Sequence, residues 1–268
     1  MKIGNMEILL GSDPELFVSD GTEFVSAHKM VEGTKEKPQP VMNGAVQVDG
    51  MALEFNIDPA ANKQEFIDNL QSVMGQLADM VPNYQLHAVP TAEFSGDILA
   101  ASPAEALELG CDPDFNAWED GRQNPKPNAE NTFRTAAGHI HVGWTSNANL
   151  TDPAHIASCI AIAKQLDLYL GVPSLLYDND SKRREMYGQA GAFRIKPYGM
   201  EYRVLSNAWL QTPELMGWVY DNTIKALSNL MGGGECPPEV RDVINTSDVN
   251  AARDLCAFNG ISLPQGVY

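Results

Sequence analysis

The sequence is poor in basic residues and cysteine and has no long apolar run. It contains 18 lysines and arginines against 35 aspartates and glutamates, a formal net charge of -17. Nucleic acids need a basic surface, so this balance argues against duplex DNA or RNA as a partner. No run of about 18 apolar residues is present, so we predict no membrane span. The N-terminal apolar run is short and interrupted by Glu7, which argues against a signal peptide.

The cysteine pattern also limits the protein class. The 4 cysteines, at positions 111, 159, 236 and 256, are widely spaced and form no CxxC pair. This is typical of reduced thiols in a cytoplasmic protein rather than of a disulfide framework. Hydrophobic content of 44% and charged content of 20% are those of a globular protein. Because we find no repeat or linker, we predict a single domain over residues 1–268.

The basic residues concentrate between residues 183 and 207, in the stretch RREMYGQAGAFRIKPYGMEYRVLSN. Its second half predicts two short strands joined at Pro197-Tyr198-Gly199, because proline presets one dihedral angle and glycine allows positive φ. Side chains alternate along a strand, so Arg194 and Lys196 share a face, as do Glu201 and Arg203. This pattern suits an anionic, metal-bearing ligand such as a nucleotide polyphosphate. An ordinary solvated strand face with surface ion pairs has the same pattern.

Pairs of polar residues at i and i+2 recur along the chain. They are Asp13/Glu15, Glu54/Asn56, His139/His141, Arg194/Lys196 and Glu201/Arg203. If these strands form one antiparallel sheet, helices cover its apolar face, and the other face presents carboxylates, imidazoles and guanidinium groups. Carboxylates with imidazole suit Mg²⁺ or Mn²⁺, and arginines suit phosphate. Metal and arginine together are typical of phosphoryl transfer, and no Walker A loop or kinase signature offers another route.

The His139-x-His141 strand allows a second interpretation. Such a strand also opens the metal site of amidohydrolase barrels, which later histidines and an aspartate complete. None of the 5 histidines follows His155, so a barrel hydrolase would lack its downstream ligands. One of the two histidines is as readily structural, hydrogen-bonded to a carboxylate, as it is a metal ligand.

Capping residues predict a set of helices. Asn62 precedes an apolar stripe over Lys63 to Met80, and Thr212-Pro213-Glu214 starts a helix that ends near Met231. The remaining predicted helices run from Ser102 to Gly110, from Asp152-Pro153 to Leu170 as a buried central helix, and from Ser247 to Asn259-Gly260.

Five motifs in order, GSDPELF, DGMALEFN, GCDPDFNAW, RTAAGHIHVG and the basic stretch above, resemble the phage-associated carboxylate–amine ligases (amidoligases, COOH-NH2 ligase type 2). Those proteins are similar to the glutamine synthetase and glutamate–cysteine ligase superfamily. The motifs run from about Gly11 to Trp209. The resemblance implies an α+β fold with a glutamine-synthetase-like antiparallel sheet, helices on one face and a catalytic face on the other. It also implies ATP and two or more Mg²⁺ or Mn²⁺ ions.

The resemblance further implies roles for individual residues. The metal ligands would be Glu15, Glu54, Glu201 and either His139 or His141. The catalytic residues would be Arg194, Arg203 and Glu201. The ATP phosphates would contact Arg184, Arg194, Lys196 and Arg203, and Arg134 would bind the substrate carboxylate. Because Asp13-Pro14-Glu15 differs from the Glu-x-Glu of glutamine synthetase, the number and order of the metal ligands stay open.

The leading functional hypothesis is an ATP-dependent ligase. In the reaction that the resemblance implies, ATP phosphorylates a carboxylate and an amine attacks the acyl phosphate to give an amide or peptide-like bond. A guanidino-type phosphotransferase would stop at phosphoryl transfer, and a catalytically silent nucleotide- or metal-binding protein would not turn over. The expected partners are a small-molecule or peptide carboxylate and an amine, without duplex nucleic acid or membrane. We expect a cytoplasmic protein, in the host cytoplasm if phage-encoded, and its oligomeric state stays open.

Overall fold

The protein is an α+β arrangement in which antiparallel strands are covered by helices. The computed structural model describes residues 2–3, 6–107, 114–125 and 132–264. The strands are β1 (Lys2–Ile3), β2 (Met6–Glu7), β3 (Leu9–Ser12), β4 (Glu15–Ser19), β5 (Phe24–Val25), β6 (Gln39–Val41), β7 (Gly44–Asp49), β8 (Ala52–Ile57), β9 (Gln85–His87), β10 (Thr91–Glu93), β11 (Phe115–Asn116), β12 (Arg122–Gln123), β13 (Phe133–Thr135), β14 (Ile140–Gly143), β15 (Ala192–Lys196) and β16 (Gly199–Tyr202).

Helices occupy most of the C-terminal half. They are α1 (Lys63–Met80), α2 (Gly96–Ala101), α3 (Ala104–Leu107), α4 (Pro153–Leu166), α5 (Val172–Ser174), α6 (Lys182–Met186), α7 (Pro213–Met231), α8 (Glu239–Asn245) and α9 (Val249–Phe258). A π-helical turn, Asp167–Gly171, joins α4 to α5, and short 3-10 turns cover Ala117–Glu119 and Asn207–Gln211.

The first sheet has the strand order β12-β11-β15-β16-β14-β3. Its centre is the predicted hairpin of β15 and β16, in which Arg194 pairs with Glu201 and Phe193 pairs with Tyr202. Gly199 has φ of 152°, and a Cβ at this position would lie 2.0 Å from the carbonyl oxygen of Val142. The turn therefore needs glycine, as the sequence predicted, because any side chain would push β14 away.

The second sheet has the order β5-β4-β8-β7-β6, and β9 also pairs with β4. The polar pairs therefore lie on two sheets, and the prediction of a single sheet is wrong. The chain breaks at Asp13-Pro14 between β3 and β4, since proline cannot donate to a ladder. Backbone hydrogen bonds still join the two sheets there, from Glu15 N to Ala137 O at 2.9 Å and from Phe55 N to Pro14 O at 3.0 Å.

The long helices pack on one side of the sheets. Helix α4 contacts β15 and β16, α1 contacts β7 and β8, and α7 packs against both helices. Phe193 and Tyr202 are fully buried under this layer. Their neighbours along the strands, Arg194 and Glu201, must point to the opposite face because side chains alternate. The fold thus separates an apolar face under the helices from a polar face.

Two predicted helices are confirmed in their bounds. Helix α1 begins after Asn62, whose side chain accepts a hydrogen bond from Glu65 N, and α7 begins after Thr212 and ends at Met231. The predicted helix from Asp152 to Leu170 begins as expected, but its α-helical part ends at Leu166 and continues as the π-helical turn.

Other helix bounds needed correction. The segment predicted as one helix from Ser102 contains α3, which spans only Ala104–Leu107, and residues 108–110 lie outside the described residues. The last helix is capped by Asp248 rather than by Ser247, because Asp248 accepts hydrogen bonds from the amides of residues 250 and 251. Helix α8 was not predicted, since proline and glycine precede it closely.

The strand predictions for the N-terminal half were incomplete. The run VQVDGMALEFNIDP predicts one strand, whereas residues 44–57 form the hairpin β7–β8. The segment CDPDFNAWEDGRQNPKPNAENTFRTA has no clear period and predicts a loop, although its described part contains β11, β12 and β13. These strands have two or three residues, too few to show a period.

Two further features bear on the protein class. By length and composition the helical stretch Pro153–Ser174 could cross a membrane, but 61% of its most apolar window is buried inside the protein, as in a core helix. Cys159, Cys236 and Cys256 are free thiols, and Cys111 lies outside the described residues.

Candidate active site

Glu201 lies at the centre of a cluster of charged side chains on the polar face of the first sheet. It is fully buried, and its two oxygens pair with cations from neighbouring strands. Lys196 Nζ lies 2.7 Å from Oε2, Arg194 Nη1 lies 3.4 Å from Oε1, and Arg203 Nη1 also binds Oε1. Burial and Asp13 act to raise the pKa of Glu201, but His139 and Arg203 outweigh them and lower it to about 2. Glu201 is therefore ionised at neutral pH.

Asp13 connects this cluster to both histidines: His139, which lies just before β14, and His141 on β14. Its Oδ1 lies 3.1 Å from His139 Nδ1 and 3.0 Å from His141 Nε2. Burial opposes ionisation, but the two imidazoles lower the pKa of Asp13 well below its ordinary value. Both histidines thus face the same way, as the i, i+2 spacing predicted. His139 Nδ1 also lies 3.4 Å from Glu201 Oε1, so one network connects the strands.

The two histidines differ in protonation. Burial, and secondarily Arg203, lowers the pKa of His139 to about 4, so its ring is neutral. Its Nε2 is buried and has no hydrogen-bond partner among the described residues. Burial also acts to lower the pKa of His141, but Asp13 outweighs it and raises the pKa. Tyr198 stacks on His141, and its hydroxyl lies 2.5 Å from His141 Nδ1, which leaves Nε2 directed to Asp13.

Glu15 and Glu54 form a second group of carboxylates on the second sheet. They lie directly opposite each other on β4 and β8. Glu15 Oε2 accepts from Ala137 N at 2.8 Å, and Glu54 Oε2 accepts from Gln47 Nε2 at 2.8 Å. Among the described residues, neither carboxylate forms an ion pair with lysine or arginine. Like charges directly opposite on neighbouring strands are destabilising.

Burial and neighbouring carboxylates raise the pKa values of Glu15 and Glu54. Burial, and then repulsion by Asp49, raises the pKa of Glu15 to about 7. Burial and repulsion by Asp13, Asp49 and Glu15 raise the pKa of Glu54 well above its ordinary value. A divalent cation between these groups would reverse both shifts, because it favours the ionised carboxylates.

Two sets of side chains therefore fit a metal ion. One ligand atom each from Asp13, His141 and Glu201 lies within 4.8 Å of the others. The Glu15 and Glu54 pair offers only oxygen, which Mg²⁺ prefers. The oxygens of Glu201 are already shared with lysine and arginine, whereas no lysine or arginine of the described residues forms an ion pair with Glu15 or Glu54. These two carboxylates, and the buried His139 Nε2 that has no hydrogen-bond partner among the described residues, are the observations in favour of a metal.

A small cavity lined by arginines adjoins the cluster on the side of His139. Its volume is about 80 Å³. Arg134, Arg183 and Arg203 line it together with Glu15 and Asp49. We call it the arginine cavity. Convergent guanidinium groups suit a carboxylate or phosphate oxygen.

A larger, mostly apolar cavity opens on the other side of the cluster, beside His141. Its volume is about 380 Å³, and no lysine or arginine is among the described residues that line it. The principal walls come from side chains of both sheets and of the segments beside them: Leu9, Ile57, Pro59, Trp144 and Tyr198. Asn56 is one of its polar lining residues. We call it the apolar cavity. A flat, uncharged ring fits this lining better than an anion does.

Most of the predicted site residues are brought together by the fold. Arg194, Lys196, Glu201, Arg203, His139 and His141 contact one another or Asp13, and Glu15 and Arg134 line the arginine cavity. Arg184 is placed elsewhere. It is buried, its Nε donates to Ser247 Oγ at 3.0 Å, and its Nη1 lies 3.5 Å from Asp178 Oδ2. These internal partners give Arg184 a structural setting outside the cluster.

Sequence reasoning missed several residues of the site. Asp13 belonged to a recognised pair but was not among the expected ligands, although it contacts both histidines. Asp49 and Asp114 lie within the motifs DGMALEFN and GCDPDFNAW, but neither was among the expected site residues, because only pairing between distant segments brings them to the site. Arg183 was noticed only as part of the basic stretch. It donates to the carbonyl oxygens of Val204 and Arg203 and lines the arginine cavity.

Residues 131–223 match the model of the family described as phage phiEco32-like COOH.NH2 ligase-type 2. The matched segment contains β14 and the β15–β16 hairpin with the residues beside them. It therefore includes both histidines, Glu201 and all the arginines and lysines discussed above: Arg134, Arg183, Arg184, Arg194, Lys196 and Arg203. The match confirms the resemblance to the amidoligase family, whose description is that of a carboxylate–amine ligase. Asp13, Glu15 and Glu54 lie outside the matched segment. No curated protein matches the chain.

Proposed function

We propose that this protein is an ATP-dependent carboxylate–amine ligase that forms an amide or peptide-like bond through an acyl phosphate. The observation that supports this most directly is the Glu201 cluster, in which Arg194, Lys196 and Arg203 converge beside paired carboxylates. The family match supports the ligase class, whereas the use of ATP and the acyl phosphate are our proposal.

The charge arrangement suits the first step of such a reaction. Transfer of a phosphoryl group to a carboxylate brings two anions together, so catalysis depends on neutralising charge and on positioning. Arg194, Lys196 and Arg203 supply positive charge from one sheet face. Glu15, Glu54, Asp13, His141 and Glu201 would hold Mg²⁺ or Mn²⁺, which when bound neutralises phosphate charge.

The two cavities suggest how the substrates divide the cleft. The carboxylate substrate would enter the arginine cavity, where Arg134, Arg183 and Arg203 face it. The uncharged base of the nucleotide would occupy the apolar cavity, with its phosphates directed to Lys196 and Arg194. The amine then attacks the carbonyl carbon, the C–N bond forms, inorganic phosphate leaves, and the amine proton passes to a base. Asp49, which also lines the arginine cavity, would accept that proton.

The first experiment is calorimetric titration of the protein with a non-hydrolysable ATP analogue, with and without Mg²⁺. We expect binding that requires the metal. A matched surface variant, Lys63→Gln, removes a cation that pairs with Asp221 far from the cluster and should bind equally well. Absence of binding under both conditions would contradict the proposal and favour the silent binding protein.

A second experiment separates the ligase from a phosphotransferase. With an acid that supports turnover, an ¹⁸O-labelled carboxylate should transfer one ¹⁸O atom to the released phosphate, because the acyl phosphate retains that oxygen until the amine displaces it. Phosphate release should require an amine. Formation of a stable phosphorylated guanidine or amine, without amide, would replace the ligase proposal by phosphoryl transfer.

A further inference from the structure

Asp114 lies beside the candidate site and contacts one of its arginines. Its Oδ2 accepts a hydrogen bond from Arg203 Nε at 3.2 Å. Strand β11 pairs with β15 so that Phe115 lies opposite Phe193. Continuing this register by one residue places Asp114 opposite Arg194, on the face that holds Glu201. The side chain therefore approaches the cluster from the edge of the first sheet.

Asp114 is itself held in place by one residue. Asn124 Nδ2 donates to Asp114 Oδ1 at 3.0 Å, and the backbone N–H of Asn124 donates to the carbonyl oxygen of Asp114 at 2.9 Å. One carboxylate oxygen thus faces Asn124 and the other faces Arg203. A carboxylate fixed at both oxygens can orient the guanidinium that it binds.

Within the described residues, Nη2 is the one nitrogen of Arg203 that forms no hydrogen bond. Its backbone N–H donates to Ala192 O, and its Nη1 binds Glu201 Oε1 and lies 3.3 Å from His139 Nδ1. Nε is bound by Asp114. No described residue forms a hydrogen bond with Nη2, although Arg203 lines the arginine cavity.

We propose that Asp114 is a positioning residue for Arg203. By binding Nε of Arg203, Asp114 keeps Nη2 of the same guanidinium directed to an oxyanion in the arginine cavity. The identity of that oxyanion, a substrate carboxylate or the phosphate transferred to it, rests on the proposed function. Asp114 acts through Arg203 and does not itself contact the substrate. Without Asp114, the guanidinium can rotate and give both Nη1 and Nη2 to Glu201, since a carboxylate accepts such a bidentate pair. The nitrogen needed by the ligand would then be used internally.

The orientation can be measured without any enzymatic activity. The Nε–H signal of Arg203 in a ¹H–¹⁵N spectrum is assigned by its loss in Arg203→Lys. We expect Asp114→Ala to shift this signal and to speed its exchange with solvent by about tenfold, because Nε loses its acceptor. Asp114→Asn keeps an oxygen acceptor, so its Nε–H shift and exchange rate should fall between those of the wild type and of Asp114→Ala. An unchanged Nε–H signal in Asp114→Ala would overturn the proposal.

Glu119→Gln is the matched control. Glu119 lies in the same segment and carries the same charge, but it pairs with Arg241 at 3.0 Å, away from the cluster. This variant should leave the Arg203 signal unchanged. If Glu119→Gln shifts the signal as much as Asp114→Ala does, the effect comes from the segment as a whole and the proposal fails. Asp114→Asn, which changes no volume, serves if Asp114→Ala does not fold.

Turnover gives the functional arm of the test. In an assay with Mg²⁺, ATP, an acid and an amine, the Asp114→Ala variant should have a kcat about tenfold below that of the wild type, with little change in the KM for ATP. Asp114→Asn should restore part of that loss, and Glu119→Gln should match the wild type. Wild-type kcat in Asp114→Ala would contradict the role of Asp114. If the wild type itself shows no turnover, the proposed function fails, and the Nε–H measurement still decides the orientation of Arg203.

Discussion

Two buried carboxylates on opposite sides of β16 have opposite electrostatic surroundings. Glu201 and Asp167 are both fully buried. Glu201 faces Lys196, Arg194 and Arg203, and its pKa falls to about 2. Asp167 lies under the helical layer, where the Tyr202 hydroxyl and Trp118 Nε1 donate to it at 2.7 Å and 2.6 Å.

The difference lies in the partners rather than in the depth of burial. Burial raises the pKa of Asp167 to about 7, and its two hydrogen bonds offset this only in part. Neutral donors stabilise a carboxylate less than a set of cations does. The polar face is therefore built to keep its carboxylate ionised, which a phosphate- or metal-binding site requires, whereas the opposite face tolerates a neutral acid. The following substitutions test this contrast.

Glu201→Gln should have the largest effect. It leaves the half-buried Lys196 and Arg194 and the buried Arg203 without their carboxylate, and breaking a buried ion pair costs about 3–5 kcal/mol. We expect the free energy of unfolding, measured with denaturant, to fall by that amount and turnover to disappear. The matched control is Glu93→Gln, since Glu93 is 72% exposed and pairs with Lys182 at 2.9 Å. That variant should change stability by less than about 0.5 kcal/mol. Equal effects of the two variants would contradict the central role of Glu201.

Asp167→Asn tests the other face through pH. The folded pKa of about 7 lies above the ordinary 3.8, so folded Asp167 holds a proton that the unfolded chain has released. Its contribution to stability is complete below 3.8 and is lost as the pH rises to about 7. Relative to Asp167→Asn, wild-type stability should fall by up to about 1.4 kcal/mol per pH unit over this range.

The measurement is chemical denaturation at several pH values. Asp221→Asn removes an exposed carboxylate paired with Lys63 and should run parallel to the wild type. If the free energy of unfolding of the wild type depends on pH in the same way as that of Asp167→Asn, the pKa of Asp167 is the same in the folded and the unfolded chain, which contradicts the prediction.

Arg203→Lys separates charge from geometry. Lysine keeps the positive charge near Glu201 but loses the planar fork that binds Asp114 and Glu201 together. We expect at least a tenfold loss of turnover, about 1.4 kcal/mol of barrier, with the fold intact. Arg253→Lys, on the exposed side of α9, should have no effect on the rate. Wild-type turnover in Arg203→Lys would assign Arg203 a structural role.

Tyr198→Phe should have the smallest effect. The ring keeps its stacking on His141, and only the hydroxyl contact at 2.5 Å to Nδ1 is lost. One hydrogen bond contributes about 1 kcal/mol, so we expect Mn²⁺ to bind about fivefold more weakly in calorimetry. Tyr84→Phe, an exposed tyrosine, is the control. Unchanged Mn²⁺ affinity in Tyr198→Phe would place the metal at Glu15 and Glu54 rather than at His141.

Local patterns predicted the parts of this protein that depend on neighbours in sequence. Helices α1 and α7 followed from a capping residue and an apolar stripe, and the β15–β16 hairpin followed from Pro197-Tyr198-Gly199. Alternation along the strands predicted that Arg194, Lys196, Glu201 and Arg203 share a face. These inferences need only backbone geometry, which acts over a few residues.

The sequence could not predict which strands meet. Whether Glu15 faces Glu54, or Asp13 reaches two histidines more than 120 residues away, depends on pairings between distant segments. Asp114 belongs to the motif GCDPDFNAW, but the motif assigns it no role, and only strand pairing at the sheet edge places it against Arg203. Arg184 shows the converse. Arginine is a residue type that binds phosphate, but the fold buries this one against Asp178 and Ser247.

The sequence alone therefore determined helices α1 and α7, the β15–β16 hairpin with its polar face, and the chemical types available to a site. Tertiary structure decided the partners of each buried charge, and partners fix both pKa and orientation. Glu201 and Asp167 are both acidic residues that the chain cannot distinguish by composition. Glu201 is ionised because three cations surround it. Asp167 has a pKa of about 7 because it is buried and its hydrogen-bond donors, from Trp118, Tyr202 and the Gly191 backbone, are neutral.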